Sequence, residues 1–147
     1  MPRTPHRLGA LLATTAVLAG TALVNAQPAA AIPSLSEFSF EPTWPTYGRN
    51  VMVNLAGGIP AGYAEWRQDP GNGHPGDAVR VHDTNADGYG IEATLLYDGR
   101  VATTRGQDSP YSSRWATGDL PEDRNWALRV CVVRGDASKC TQITVTS

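Results

Sequence analysis

Apolar and polar residues alternate along most of the chain after residue 31, and no window shows a sustained helical period. Stretches rich in glycine, proline and aspartate interrupt this alternation and predict turns. The pattern therefore predicts strands near residues 35–41, 50–56, 62–68, 77–83, 89–97, 100–105, 125–133 and 138–146. Prolines bracket the first of these, which suits an edge strand or a terminus.

Seven or eight short strands joined by turns indicate an all-β fold, a two-sheet antiparallel sandwich with a barrel as the alternative. We expect the sandwich to span residues 50–147, preceded by a partly ordered segment over residues 32–49.

The two cysteines flank a predicted hairpin. Gly135-Asp136 lies midway between Cys131 and Cys140 and predicts a two-residue turn. In that register the cysteines form a non-hydrogen-bonded pair, whose side chains approach closely. The disulfide then lies on the outer face, and the opposite face is apolar and carries Trp126, Leu128, Val130, Ile143 and Val145. In the simple entropy model, the bridge stabilises the fold by about 3 kcal/mol. A redox role is disfavoured because the pair is not a C-x-x-C motif.

A second hairpin is predicted at Asp98-Gly99. A two-residue turn there pairs Leu96 with Val101, Thr94 with Thr103 and Glu92 with Arg105. The other face of this hairpin is expected to be buried, with Ile91, Ala93, Leu95, Tyr97 and Ala102.

Residues 1–31 have the three parts of a secretory signal peptide: a basic start, an uncharged apolar run from Leu8 to Val24, and a small-residue stretch. Cleavage is expected after Ala31, with Ala26 as the competing site. No later apolar run is long enough to span a bilayer, so we expect the exported protein not to bind membranes. We also expect it to be a monomer.

The charge balance argues against nucleic acid as a partner. The chain has 147 residues, with 12 Lys and Arg against 14 Asp and Glu. Arg3 and Arg7 are the only charged residues of the leader, so the remainder is acidic, whereas nucleic-acid binders are usually basic.

One segment has the spacing of a calcium loop. Asp83, Asn85 and Asp87 place three oxygen-bearing side chains on alternate residues before Gly88. The bidentate acid of an EF-hand is missing, because Thr94 stands at that position. A polar turn in which these side chains cap their own backbone is therefore favoured over a weak Ca²⁺ site, and no other cofactor is expected.

No catalytic motif is recognisable. His74 and His82 are the only histidines after the leader, without the C-x-x-C or H-E-x-x-H spacing of a zinc site. The chain has no G-x-S-x-G motif and no glycine-rich phosphate loop. An enzyme would therefore depend on an arrangement that the sequence does not show.

The long connection over residues 106–124 carries Tyr111 and Trp115. These aromatic side chains either bind a ligand or fold back to plug one end of the sandwich, and the plug is favoured because exposed tryptophan is uncommon.

Residues 120–130, with Leu120-Pro121 followed by Trp126, Leu128 and Val130, resemble the turn and penultimate strand of fibronectin type III and immunoglobulin-like domains. A tryptophan stands where that family usually has a tyrosine. The leader, residues 65–90 and Ser109-Pro110-Tyr111 are similar to small secreted actinobacterial proteins, a likeness that implies no activity.

These features predict a secreted, non-catalytic binding or structural module whose partner is an extracellular protein or a polysaccharide. The alternatives are a protease inhibitor that presents residues 106–124 and, third, a small enzyme.

Overall fold

The computed structural model describes residues 31–147, so residues 1–30 of the predicted leader, and with them the competing cleavage site at Ala26, lie outside the described residues. In this part of the chain ten strands form two antiparallel sheets, preceded by one 3₁₀ turn. The strands are β1 (Ser39–Thr43), β2 (Gly48–Leu55), β3 (Ile59–Arg67), β4 (Ala78–Asp83), β5 (Gly90–Leu95), β6 (Val101–Thr103), β7 (Tyr111–Ser112), β8 (Ala116–Thr117), β9 (Asn125–Arg134) and β10 (Ala137–Thr146). No helix in residues 31–147 is long and apolar enough to cross a bilayer.

The two sheets confirm the all-β sandwich. The first has the order β1-β2-β3-β4, and both β7 and β8 pair with the far side of β4. The second has the order β10-β9-β5-β6. The chain therefore crosses between sheets after β4, after β6 and after β8. As expected for a proline-flanked strand, β1 lies at an edge.

The core lies between the sheets and is built from the inward positions of the alternating pattern. Trp66 is fully buried in this core, and its indole Nε1 donates a hydrogen bond to the Thr146 carbonyl at 2.9 Å. Burial of each large apolar side chain contributes roughly 1.5–3 kcal/mol. The other large buried side chains are Phe38, Val51, Val53, Val79, Val81, Leu95, Leu128, Val130, Val132 and Val145.

The β9–β10 hairpin confirms the predicted register. Arg134 pairs with Ala137, and Cys131 pairs with Cys140 as a disulfide with its Cα atoms 4.0 Å apart. Gly135 has the positive φ of 54° that its position in the turn requires. The disulfide lies on the face opposite the core, where Cys140 is exposed.

The predicted register of the second hairpin is wrong. Thr94 pairs with Val101 and Glu92 with Thr103, a shift of two residues from the expected pairs. The turn does lie at Asp98-Gly99, but its loop spans residues 96–99 and is closed by hydrogen bonding between Leu95 and Arg100. A shift of two keeps each side chain on its predicted face, so the burial of Ile91, Ala93, Leu95 and Ala102 is confirmed.

Tyr97 was expected to be buried with them, and it is instead 57% exposed. The backbone N–H of Leu96 donates to Ala127 at 2.9 Å, which extends the pairing with β9 and turns the next residue outward. Tyr97 then packs on Trp126 with ring centroids 4.1 Å apart.

Two further secondary-structure predictions are wrong. Residues 35–37 form a 3₁₀ turn rather than a strand, because the Ser34 hydroxyl and the Glu37 carboxylate cap each other's backbone N–H groups. Residues 106–124, expected as an irregular connection, contain β7 and β8.

Candidate functional site

The outer face of the first sheet carries charged residues that are buried. Alternation turns Trp66 and Val81 towards the core and therefore turns their neighbours outward. Outward residues normally contact water, yet Glu65, Arg67 and His82 are only 3%, 7% and 7% exposed. We call this surface the covered face, and it consists of Tyr63, Glu65, Arg67, Arg80 and His82.

Glu65 is the centre of the covered face. Its two carboxylate oxygens accept hydrogen bonds from Arg67 Nε and Arg80 Nε, each at 3.0 Å. Burial alone would raise the pKa of Glu65, but His82, the hydrogen bond and charge of Arg80, and Arg67 outweigh burial and lower that pKa to about 2. Glu65 is therefore ionised across the physiological pH range, and its single negative charge forms ion pairs with two arginines.

His82 lies between Glu65 and Ser112. Its Nε2 is 3.5 Å from a Glu65 oxygen, and its Nδ1 is 2.7 Å from the Ser112 hydroxyl. His82 Nδ1 and the Ser112 hydroxyl share a hydrogen bond whose donor is set by the imidazole tautomer, and Nε2 is buried without a hydrogen-bond partner among the described residues. The imidazole stacks on Tyr63 at 4.2 Å, which fixes the ring plane. Burial, followed by the nearby charge of Glu65, raises the pKa of Tyr63.

The segment that contains β7 and β8 covers this face. Ser113 is hydrogen-bonded to both backbone groups of Val81, at 2.9 and 3.1 Å. Trp115 is then held with its ring 4.4 Å from the Arg80 guanidinium. Trp115 does fold back, but onto the outer face of a sheet rather than onto one end of the sandwich. Tyr111 stays 36% exposed, and a ligand role for these two aromatic residues stays a prediction.

The predicted calcium residues form a turn between β4 and β5. Asp83 accepts from the Asn85 N–H at 3.2 Å, and Asp87 accepts from the Tyr89 N–H at 2.9 Å, as in the polar-turn interpretation. Burial raises the pKa of both aspartates, and the Asp83 charge adds to this effect at Asp87. Within residues 31–147 no three His, Cys, Asp or Glu side chains gather as a metal site would require. Weak binding of Ca²⁺ stays a prediction.

A second candidate surface lies where the β1–β2 loop meets β10. It is a groove of about 320 Å³, which we call the Trp44 groove, lined by Pro42, Trp44, Arg49, Ile143 and Thr144. Trp44 is 67% exposed, more than any other large apolar side chain of the described residues. The Arg49 guanidinium lies 5.5 Å from the centre of its ring.

Arg49 also lines an adjoining cavity of about 200 Å³. The walls of this second cavity are mostly polar and are formed by Pro45, Thr46, Gly48, Arg49, Trp66, Gln68 and Thr146. Among the described residues no acid lies within 4.0 Å of the Arg49 guanidinium, and no group accepts a hydrogen bond from it. The arginine is therefore an uncompensated cation between two cavities.

Hydrogen bonds hold the loop that carries Trp44. The N–H of Gly48 donates to Pro45 at 3.2 Å, and the N–H of Gln68 donates to Tyr47 at 3.2 Å. The Tyr47 ring lies 3.9 Å from the Arg67 guanidinium of the covered face. These three contacts fix the position of the loop.

Sequence reasoning assembled neither surface. Glu65 and Arg67 on one strand, and Arg80 and His82 on the next, have the spacing of a solvated outer face, and only the cover makes them different. The position of Trp44 in a proline-flanked loop is visible in the sequence. Its partners on β10, however, come from the far end of the chain.

Comparison with known proteins gives no match. The chain matches no protein-family model, no curated protein and no solved structure.

Proposed function

We propose that the chain is a secreted, non-catalytic binding module, that its sandwich is of the fibronectin type III or immunoglobulin-like kind, and that the Trp44 groove is its ligand surface. The observation that carries this proposal is a 67% exposed indole beside a groove of about 320 Å³. Tryptophan and arginine dominate the energetics of binding surfaces, and a monomer rarely leaves large apolar surface open without a role.

Two features support export. The Cys131–Cys140 disulfide is the state that cysteine pairs adopt in oxidising compartments. The leader-like pattern of residues 1–31 points the same way.

The experiment is retention of the purified protein on insoluble cell walls and polysaccharides of the producing organism. We expect retention of the native protein and its loss in Trp44→Ala. Tyr97→Ala is the matched control, because Tyr97 is 57% exposed on a loop of the second sheet and should leave retention unchanged. Equal retention of all three proteins, or none for the native protein, would contradict the proposal.

The arrangement of charged groups on the covered face supports the proposal that the module is non-catalytic. Ser112, His82 and Glu65 follow one another in the order of nucleophile, base and orienting acid. Both Glu65 oxygens, however, already accept hydrogen bonds from arginines, and the Glu65 oxygen that Arg80 contacts lies 3.5 Å from His82 Nε2, too far for a strong hydrogen bond that would orient the imidazole. The array therefore suits a structural link better than a general base.

A fluorophosphonate probe separates the binding module from the enzyme alternative. Such probes label serines that a neighbouring base activates, and we expect Ser112 to stay unlabelled in peptide mass spectra. Labelling of Ser112 that disappears in His82→Gln would favour the enzyme and contradict the non-catalytic proposal.

The inhibitor alternative rests on Tyr111, which is 36% exposed on a strand paired with β4. A rigidly held side chain loses little entropy on binding a protease. An inhibitor would reduce the activity of co-secreted proteases in proportion to its dose, and Tyr111→Ala would abolish the effect, while Trp44→Ala would not.

A further inference from the structure

We infer that the Trp44 groove takes an acidic saccharide, a chain of sugar rings that carry carboxylates, and this inference rests on the binding function proposed above. The recognition elements are an exposed indole, a cation beside it, and a polar cavity that the same cation lines.

The cation selects an anion. The Arg49 guanidinium has no acidic partner within 4.0 Å among the described residues, although the chain as a whole is acidic. A planar guanidinium binds a carboxylate through two parallel hydrogen bonds, which gives both affinity and orientation. A carboxylate on the ligand would supply the charge that the groove lacks.

The aromatic face selects a ring. Trp44 presents its indole beside the apolar side chains of Pro42 and Ile143, and Arg49 lies 5.5 Å from the ring centre. The C–H groups on one face of a pyranose carry partial positive charge and pack on the negative face of an aromatic ring. Because the Arg49 guanidinium lies over the indole ring, a sugar packed on the exposed part of Trp44 would bring its carboxylate near Arg49.

The adjoining cavity selects hydroxyl groups. Thr46, Gln68 and Thr146 contribute to its mainly polar walls, and Arg49 belongs to both cavities. A second sugar unit placed there would find hydrogen-bond partners, whereas the apolar side chain of a peptide would bury those polar groups without partners. This difference favours a saccharide over a peptide that would place an apolar residue in the cavity.

Calorimetric titration of the intact protein with trigalacturonic acid tests the inference. We expect saturable binding that weakens with added salt. The methyl ester of the same trisaccharide should bind about tenfold more weakly or worse, because a lost charged hydrogen bond costs at least about 1.4 kcal/mol.

Variants assign the binding to the groove. Arg49→Gln should weaken binding to trigalacturonic acid about tenfold, Arg49→Lys should restore part of it, and Trp44→Ala should abolish it. Arg129→Gln is the control, because Arg129 is an exposed arginine on β9. Thermal melts of each variant show whether it remains folded.

Three results would overturn the inference: no binding of trigalacturonic acid, equal binding of its methyl ester, or equal binding of a triaspartate peptide. The wall-retention experiment fails or succeeds separately. Retention that Trp44→Ala abolishes and trigalacturonic acid does not displace would leave the binding function standing and reject the acidic saccharide.

Discussion

The covered face and the Trp44 groove combine the same two residue types in opposite settings. Trp115 lies 4.4 Å from Arg80 above a carboxylate that two arginines share, whereas Trp44 lies 5.5 Å from an arginine that has no acid within 4.0 Å among the described residues. The first tryptophan is half-buried and the second is mostly exposed. We infer that an aromatic–arginine pair stabilises the fold where its charge is balanced, and that the pair without a balancing acid is the one that serves the proposed binding function.

The largest effect should come from Glu65→Gln. This change leaves two arginines on a buried surface without the carboxylate they share, and loss of one partner of a buried ion pair costs about 3–5 kcal/mol. We expect a fall of about 3 kcal/mol in the free energy of unfolding, measured with urea.

Glu92→Gln is the matched control for that substitution. Glu92 also meets an arginine, Arg105, at 3.5 Å, but this pair is substantially exposed. Exposed pairs contribute about 0–1 kcal/mol. A loss in Glu65→Gln no greater than in Glu92→Gln would show that the covered face is not the stabilising region.

The next largest fall in the free energy of unfolding should come from acid, through the covered face. The pKa of Glu65 falls from 4.5 to about 2 on folding, so its contribution is present above about pH 4.5 and is lost as pH falls towards 2. At one pKa unit per 1.36 kcal/mol the loss is at most about 3 kcal/mol. Urea unfolding of the native protein and of Glu65→Gln at several pH values should show the two stabilities converging in acid.

Asp83 and Asp87 act with the opposite sign. Folding raises both pKa values, so the contribution of these two carboxyls to the free energy of unfolding decreases as pH rises from their unfolded-state pKa to their folded-state pKa. In Glu65→Gln the lowered pKa of Asp98, caused first by its hydrogen bond with Arg100, still opposes the effect of Asp83 and Asp87, so stability should fall less on acidification than in the native protein. A slope as steep as that of the native protein would assign the acid sensitivity to other groups.

Much of the fold was predictable from the sequence because its signals are local. The Gly135-Asp136 turn and the alternation on both sides of it determine a register, and Cys131–Cys140 follows from that register. The second hairpin shows the limit of this reasoning. The position of its turn at Asp98-Gly99 was predicted correctly, but the loop is longer than two residues and the register is shifted. Tyr97 in this loop packs on Trp126, which lies on a strand distant in sequence.

The candidate surfaces were less predictable for the same reason. Charged residues two apart on a strand predict a solvated face. No residue near Glu65 in sequence indicates that Ser112 and Trp115 cover this face. The Trp44 groove likewise needs Ile143 from β10.

Trp115→Ala should have an intermediate effect. It removes the half-buried ring that packs on Arg80 and lies 5.9 Å from Arg67, and it admits water to Glu65. Cation–aromatic contact and partial burial together suggest a loss of about 2 kcal/mol. A urea-unfolding change below about 0.5 kcal/mol would mean that the cover adds nothing to the ion pairs beneath it.

The smallest change in stability should come from Trp44→Ala, although it is chemically as drastic as Trp115→Ala. A side chain that is 67% exposed leaves little cavity when it is removed, so the free energy of unfolding should change by no more than about 0.5 kcal/mol. The same variant should lose wall retention entirely. If Trp44→Ala instead unfolds as readily as Trp115→Ala, the loop that carries it is part of the structural framework, and the groove would then owe its shape to folding rather than to a ligand.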